Sequence, residues 1–165
     1  MGQIYQYRCH DCRKKVSFSL GCGMTHPSIC RETEEAIASG ELGQRLKDAF
    51  ESCEFPLVCP CNQMYLCPDC GHWEVFRDYS VYSPADIETA KASFEETGRK
   101  PFVLDWEVEE GKIICVGSYS PECPECGSEM HLSPKNKKGN LDANFLRCPR
   151  CESTNASVNP IGYYD

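Results

Sequence analysis

The chain has 165 residues, 41% hydrophobic and 10% aromatic, a globular composition with room for one domain or two small ones. No apolar run approaches the roughly 20 residues of a membrane helix, and MGQIYQYRCH lacks the basic and apolar regions of a secretory signal, so a cytoplasmic location is expected. The net charge of −8 is uneven: residues 31–110 carry 18 acidic against 7 basic side chains, while residues 121–151 carry 4 against 5, so the molecule as a whole repels polyanions.

In chain order, residues 3–8 (QIYQYR) put Tyr5 and Tyr7 on one face and predict a short strand. It runs into Cys9-His10-Asp11-Cys12, and Lys15–Leu20 is the expected return strand. Two glycines and a proline in 21–27 break the pattern. Ser28 or Thr33 can cap a helix across Glu34–Ser39. Leu42, Leu46, Ala49 and Phe50 recur at helical spacing and predict a second helix over about 42–52. Met64–Leu66 and Trp73–Phe76 flank Cys67-Pro68-Asp69-Cys70 as a second hairpin. Ser83-Pro84 opens a third helix over 85–96, stopped by Gly98. Residues 102–108 and 112–116 alternate around Glu109-Glu110-Gly111 and predict a β-hairpin. Short strands are expected at 129–132, 145–147 and 156–158, with a polar, basic loop at 133–140 and a short tail, IGYYD.

Fourteen cysteines dominate the chemistry, and eight of them fall in four C-x₂-C pairs. One such turn supplies two thiolates, and two turns facing each other make a tetrahedral S₄ cage, the donor set of structural zinc. Cys123, Cys126, Cys148 and Cys151, with 21 residues between the pairs, form one expected cage. Cys9, Cys12, Cys67 and Cys70 form the other, and the helical insert accounts for most of the 54-residue gap at small cost in loop entropy. Two further arrangements stay open. Cys59 or Cys61 can replace a ligand of the first cage, or Cys67 and Cys70 can join Cys123 and Cys126. Two Zn²⁺ ions are expected, and iron suits the same sulfurs at the first cage. Backbone N–H groups in the turn point at its first sulfur, and Gly127 permits the positive φ that the turn wants. Of the remaining cysteines, Cys115 is expected to be buried, and Cys22, Cys30, Cys53, Cys59 and Cys61 to be free thiols near the core. Cys59-Pro60-Cys61 can alternatively chelate with Cys22 or Cys53 or act as a redox pair. His10 and His72 are expected to be exposed neighbours of their turns.

No Ser/His/Asp elbow, phosphate loop or H-E-x-x-H helix is present, and a metal closed by four thiolates has no open position, so no enzymatic activity is expected. The acidic middle points to a protein partner. The basic residues Lys135, Lys137, Lys138, Arg147 and Arg150, with Tyr5, Tyr7 and Phe145 nearby for stacking, are the candidate nucleic-acid contacts.

YRCHDC…YLCPDCGHWE and ECPECGSEM…LRCPRCES resemble the zinc ribbon superfamily. In detail the chain is similar to a group of small bacterial proteins, common in Firmicutes. These open with a rubredoxin-like knuckle, continue through a turn and helix like GCGMTHPSICRETEEAIASGELGQRLKDAF, and end in a second ribbon. The expected fold is therefore a small α+β protein: a zinc ribbon over 1–82 with a two-helix insert at about 28–52, a linking helix and β-hairpin over 83–118, and a C-terminal ribbon over 119–165. The expected function is that of a non-catalytic zinc-binding adaptor, with a rubredoxin-like iron electron carrier at the first cage as the alternative. The resemblance itself implies no activity.

Overall fold

A computed structural model describes residues 2–23, 27–134 and 141–164. In chain order its elements are β1 (Gly2–Cys9), β2 (Lys15–Leu20), α1 (Pro27–Ser39), α2 (Gln44–Ser52), β3 (Leu57–Val58), β4 (Asn62–Leu66) and β5 (Trp73–Arg77). There follow β6 (Val81–Pro84), α3 (Ile87–Thr97), α4 (Asp105–Glu109), β7 (Ile113–Gly117), β8 (His131–Leu132), a 3₁₀ turn (Ala143–Phe145) and β9 (Ala156–Tyr164). The strands make three small antiparallel sheets, ordered β2-β1-β9, β5-β4-β8 and β3-β6-β7.

The chain separates into two compact units, and neither is continuous in sequence. The first takes Met1–Met24, Cys61–Arg77 and Ser120–Asp165; the second takes Thr25–Pro60 and Asp78–Tyr119. The division thus differs from the consecutive segments 1–82, 83–118 and 119–165, because both cysteine-bearing ends of the chain fold into one body.

The first unit holds the two sheets β2-β1-β9 and β5-β4-β8, which repeat one plan. A hairpin (β1–β2 or β4–β5) is joined on its first strand by a later strand (β9 or β8). Both contribute to one buried cluster: Tyr7, Cys9, Met64, Leu146 and Cys148 are buried together, with Phe18, Trp73, Val75 and Val158 packed around them. Trp73 lies 5.1 Å from Tyr7 and 5.9 Å from Phe18, ring centre to ring centre. Strand β9 is longer than the expected 156–158, because the IGYYD tail continues along β1 as far as Tyr164 opposite Gly2. The strand expected at 145–147 is replaced by the 3₁₀ turn, capped by the Asp142 carboxylate, which accepts from the Asn144 N–H at 3.1 Å.

The second unit has its own cores. Ile37, Leu46 and Val81 pack with Phe50 and Val58, and Phe55, Leu57, Ala90 and Ile113 form a second cluster. The expected hairpin at 102–116 is half helix. Asp105 and Glu107 stand in the first turn of α4, where the helix dipole favours acidic groups, and β7 pairs with β6 instead. Helix α3 starts later than expected. Asp86 caps it by accepting from the Thr89 N–H at 3.0 Å, and Pro84 closes β6, where a missing N–H does no harm. Asp78 is buried but satisfied, accepting from the Ser80 N–H (3.0 Å), the Ser80 hydroxyl (2.6 Å) and the Tyr82 hydroxyl (3.1 Å).

Candidate metal centres

Four turns of one design carry the eight paired cysteines. In each, the first cysteine N–H donates to the carbonyl five residues on: Cys9 to Lys14 (2.9 Å), Cys67 to His72, Cys123 to Ser128 and Cys148 to Ser153 (each 2.8 Å). In each, the residue after the second cysteine is left-handed: Arg13 (φ 61°), Gly71 (74°), Gly127 (77°) and Glu152 (61°). Backbone N–H groups within the turns approach sulfur, as with the Arg150 N–H, 3.5 Å from Cys148 Sγ. The first cysteine of every turn is buried and the second more exposed.

The turns pair in nested order. Cys9 and Cys12 meet Cys148 and Cys151, while Cys67 and Cys70 meet Cys123 and Cys126, with the sulfurs of each group within 4.8 Å of one another. This corrects the expected grouping of Cys9/Cys12 with Cys67/Cys70 and of Cys123/Cys126 with Cys148/Cys151. The open alternative that joined Cys67/Cys70 to Cys123/Cys126 is the one formed. The cause is strand pairing. Strand β9 sets Ala156 opposite Cys9, which carries the fourth turn to the first. Strand β8 sets His131 opposite Leu66, which carries the third turn to the second. In both groups a first cysteine meets a second. The sulfur distances are 3.7 Å for Cys9–Cys151 and 3.5 Å for Cys12–Cys148. They are 3.5 Å for Cys67–Cys126 and 3.6 Å for Cys70–Cys123.

These distances suit a bound ion. A tetrahedron with zinc–sulfur bonds of about 2.3 Å has edges of about 3.8 Å, whereas a disulfide needs about 2.05 Å. Each group can therefore hold a metal ion with all four corners filled by sulfur. Without metal, protons distribute unevenly over the sulfurs. The Ser128 N–H and hydroxyl bring Cys126 down to about 6. Burial opposes ionisation of Cys148, but the Arg150 and Cys151 N–H groups outweigh it and bring it to about 6. The His72 N–H favours the Cys70 thiolate, yet burial and the adjacent sulfurs push it up to about 12. The Ser153 N–H acts likewise on Cys151, and Cys12, burial and Cys9 push that thiol up to about 12.

Contacts outside the sulfurs fasten the turns. Asp11 accepts from the Ser153 hydroxyl and from Asn155 Nδ2 (2.8 Å), and the His10 N–H donates to the Asn155 carbonyl (2.9 Å), so the first turn is tied to the segment after the fourth. Trp73 Nε1 donates to the Arg147 carbonyl (2.6 Å), just ahead of the fourth turn.

Cys22 and Cys61 form a disulfide, with Cα atoms 4.6 Å apart. They are thus not the free thiols expected, and Cys61 is committed to Cys22 instead of forming a redox pair with Cys59. Burial, followed by the charge of Asp78, pushes the Cys59 thiol up to about 12, away from nucleophilic use. Cys115, on strand β7, is exposed, contrary to expectation.

Neither His10 nor His72 enters a metal group; His72 sits 3.3 Å from Glu74. Of the expected base-stacking residues, Tyr7 is fully buried and cannot serve, Tyr5 stacks on Phe18, and Phe145 is about half exposed. Arg150 is exposed. A side chain at Gly71 would meet Arg147. Lys135, Lys137 and Lys138 lie outside the described residues. Among the described residues no helix is long and apolar enough to cross a membrane.

No family model, curated protein or solved structure matches the chain. The nested pairing nevertheless had a signal in the sequence. The second and third turns, CPDCG and CPECG, are near-identical, and they are partners.

Proposed function

We propose that this is a non-catalytic zinc-binding protein in which two Zn²⁺ ions close two interlocked zinc ribbons around one core. The observation that carries the reading is the pair of four-sulfur groups, with crossed sulfur contacts of 3.5–3.7 Å, each built from turns that aim N–H groups at sulfur. Four thiolates leave no coordination position for water or substrate, so the role of the metal is structural. The adaptor part of the reading rests on charge. The second unit carries 16 acidic against 7 basic residues, and the first carries 9 against 10. A partner that docks on the second unit is therefore expected to be basic.

Elemental analysis of purified protein, combined with thiol counting, tests the metal reading. The expected result is two zinc ions per chain and eight further thiols released when the metal is removed. A red protein with about one iron per chain would overturn it in favour of the electron-carrier alternative.

A further inference from the structure

We propose that strand β7, together with helix α4 beside it, docks an extended partner segment that combines basic with apolar side chains and adds to the free edge of β7. The inference deepens the adaptor reading: it rests on a basic partner for the second unit and names where that partner sits and in what form.

Among the described residues ten large apolar side chains are exposed, and six of them lie between positions 94 and 116. Scattered singly such residues are ordinary, but gathered together they mark an interaction surface. Here α4 and β7 bring several of them together. Helix α4 leads directly into β7, with the Lys112 N–H donating to the Glu107 carbonyl (2.8 Å) and Lys112 Nζ 4.9 Å from the Trp106 ring. Val103 and Val108 pack on the buried cluster that holds Ile113, whereas Leu104 and Trp106 stay close to half exposed.

Strand β7 is the last strand of the sheet β3-β6-β7, and among the described residues no strand lies on its other side. Such an edge leaves N–H and C=O groups open to a further strand, and proteins ordinarily blunt it with charge, proline or a covering element. Ile113–Gly117 (IICVG) has neither charge nor proline. Ile114 and Val116 are each about half exposed, with Cys115 exposed between them, so nothing among the described residues covers the strand. The pairing with β6 steps from Cys115 opposite Tyr82 to Gly117 opposite Val81. Val116 is passed over and has no cross-strand neighbour of its own.

Charge selects the partner. From Phe102 to Gly117 there are four carboxylates, Asp105, Glu107, Glu109 and Glu110, and one cation, Lys112, which is paired with Glu110 at 2.7 Å. A segment carrying lysine or arginine meets complementary charge here, whereas a second copy of this chain would bring the same excess of carboxylates. The open backbone edge calls for an extended segment, and Trp106, Ile114 and Val116 call for apolar side chains within it.

The probe is an N-acetylated, C-amidated heptapeptide of alternating lysine and valine, added to ¹⁵N-labelled full-length protein. At about 1 mM peptide, the amide signals of Ile114, Cys115 and Val116 should shift and their hydrogen exchange should slow. Alkylation of Cys115 should slow as well, while that of Cys30 does not. Ile114→Lys, a change at a half-exposed position, should weaken binding about tenfold by opposing the charge of the peptide. The same peptide N-methylated throughout cannot pair with a strand edge and should also bind about tenfold more weakly. Equal binding of the N-methylated peptide overturns the proposal, as do shifts confined to another face of the second unit; both leave a basic partner in place. A dimer that protects the same amides without peptide makes a second copy the occupant and overturns it too. No binding of the peptide overturns the proposal alone. Tighter binding of the glutamate–valine counterpart overturns it and the basic-partner reading together.

Discussion

The Cys9 and Cys151 sulfurs lie 3.7 Å apart although their positions in the chain differ by 142. Loss of either should therefore empty the same centre. Cys9→Ser, Cys151→Ser and the double variant should each bind one zinc in place of two. Cys9→Ser combined with Cys126→Ser should bind none. If Cys9→Ser combined with Cys70→Ser still held one zinc, the nested pairing would be wrong, since that outcome requires Cys9 and Cys70 to share a cage.

Much of this was legible in the sequence, and the gap has a physical cause. A C-x₂-C turn is local, so the four turns, their strands β1, β2, β4 and β5, and the helices α1 to α3 follow from spacing and alternation. Which turn faces which is decided by β9 on β1 and β8 on β4, pairings between segments far apart in the chain that local spacing does not reveal. Proximity along the chain favoured neighbouring turns, and the match between CPDCG and CPECG pointed the other way. Residues 105–109 read as strand because Trp106 and Val108 alternate with acidic residues. The same acidic residues favour the first turn of a helix, and that preference won.

The left-handed residue that ends each turn makes a graded prediction. Gly127→Ala places its Cβ where nothing lies within 4 Å, so it carries only the backbone cost of about 1 kcal/mol. Gly71→Ala adds a clash, with Arg147 Cδ 2.7 Å from the new Cβ, and should lower the melting temperature further. Gly71→Ala with Arg147→Ala should fall back to the level of Gly127→Ala. Equal melting temperatures for the two single variants would count against this contact. Arg13→Gly should stabilise, because Arg13 holds the same backbone twist with a side chain.

Helix α3 should show a pH-dependent cap. The Thr89 N–H, then the Thr89 hydroxyl, holds the Asp86 carboxyl below its ordinary value of 3.8. A carboxyl with a lower pKa in the folded state stabilises above its unfolded value, and that contribution disappears as pH falls through the folded one. Asp86→Ala should therefore reduce hydrogen-exchange protection of the α3 amides at neutral pH. The difference from wild type should shrink once pH drops below 3.8. A difference that persists in acid would assign the effect to something other than the charge on Asp86.

Metal removal should separate the two units, and the two tryptophans can report on each. Trp73 belongs to the first unit, packed on Tyr7 and Phe18 in a core that includes Cys9 and Cys148 themselves. Trp106 belongs to the second, with Lys112 Nζ 4.9 Å from its ring, and no cysteine of the two four-sulfur groups lies in that unit. The buried cluster of the first unit includes ligand sulfurs, and for such small modules metal affinity is folding energy. Chelation of Trp106→Phe, where only Trp73 emits, should shift fluorescence to the red as the ring meets water. Chelation of Trp73→Phe, where only Trp106 emits, should leave the emission nearly unchanged. If Trp73 kept its emission in protein shown to be metal-free, the packing of Tyr7, Phe18 and Met64 alone would hold the first unit, and zinc would have to serve something other than its fold.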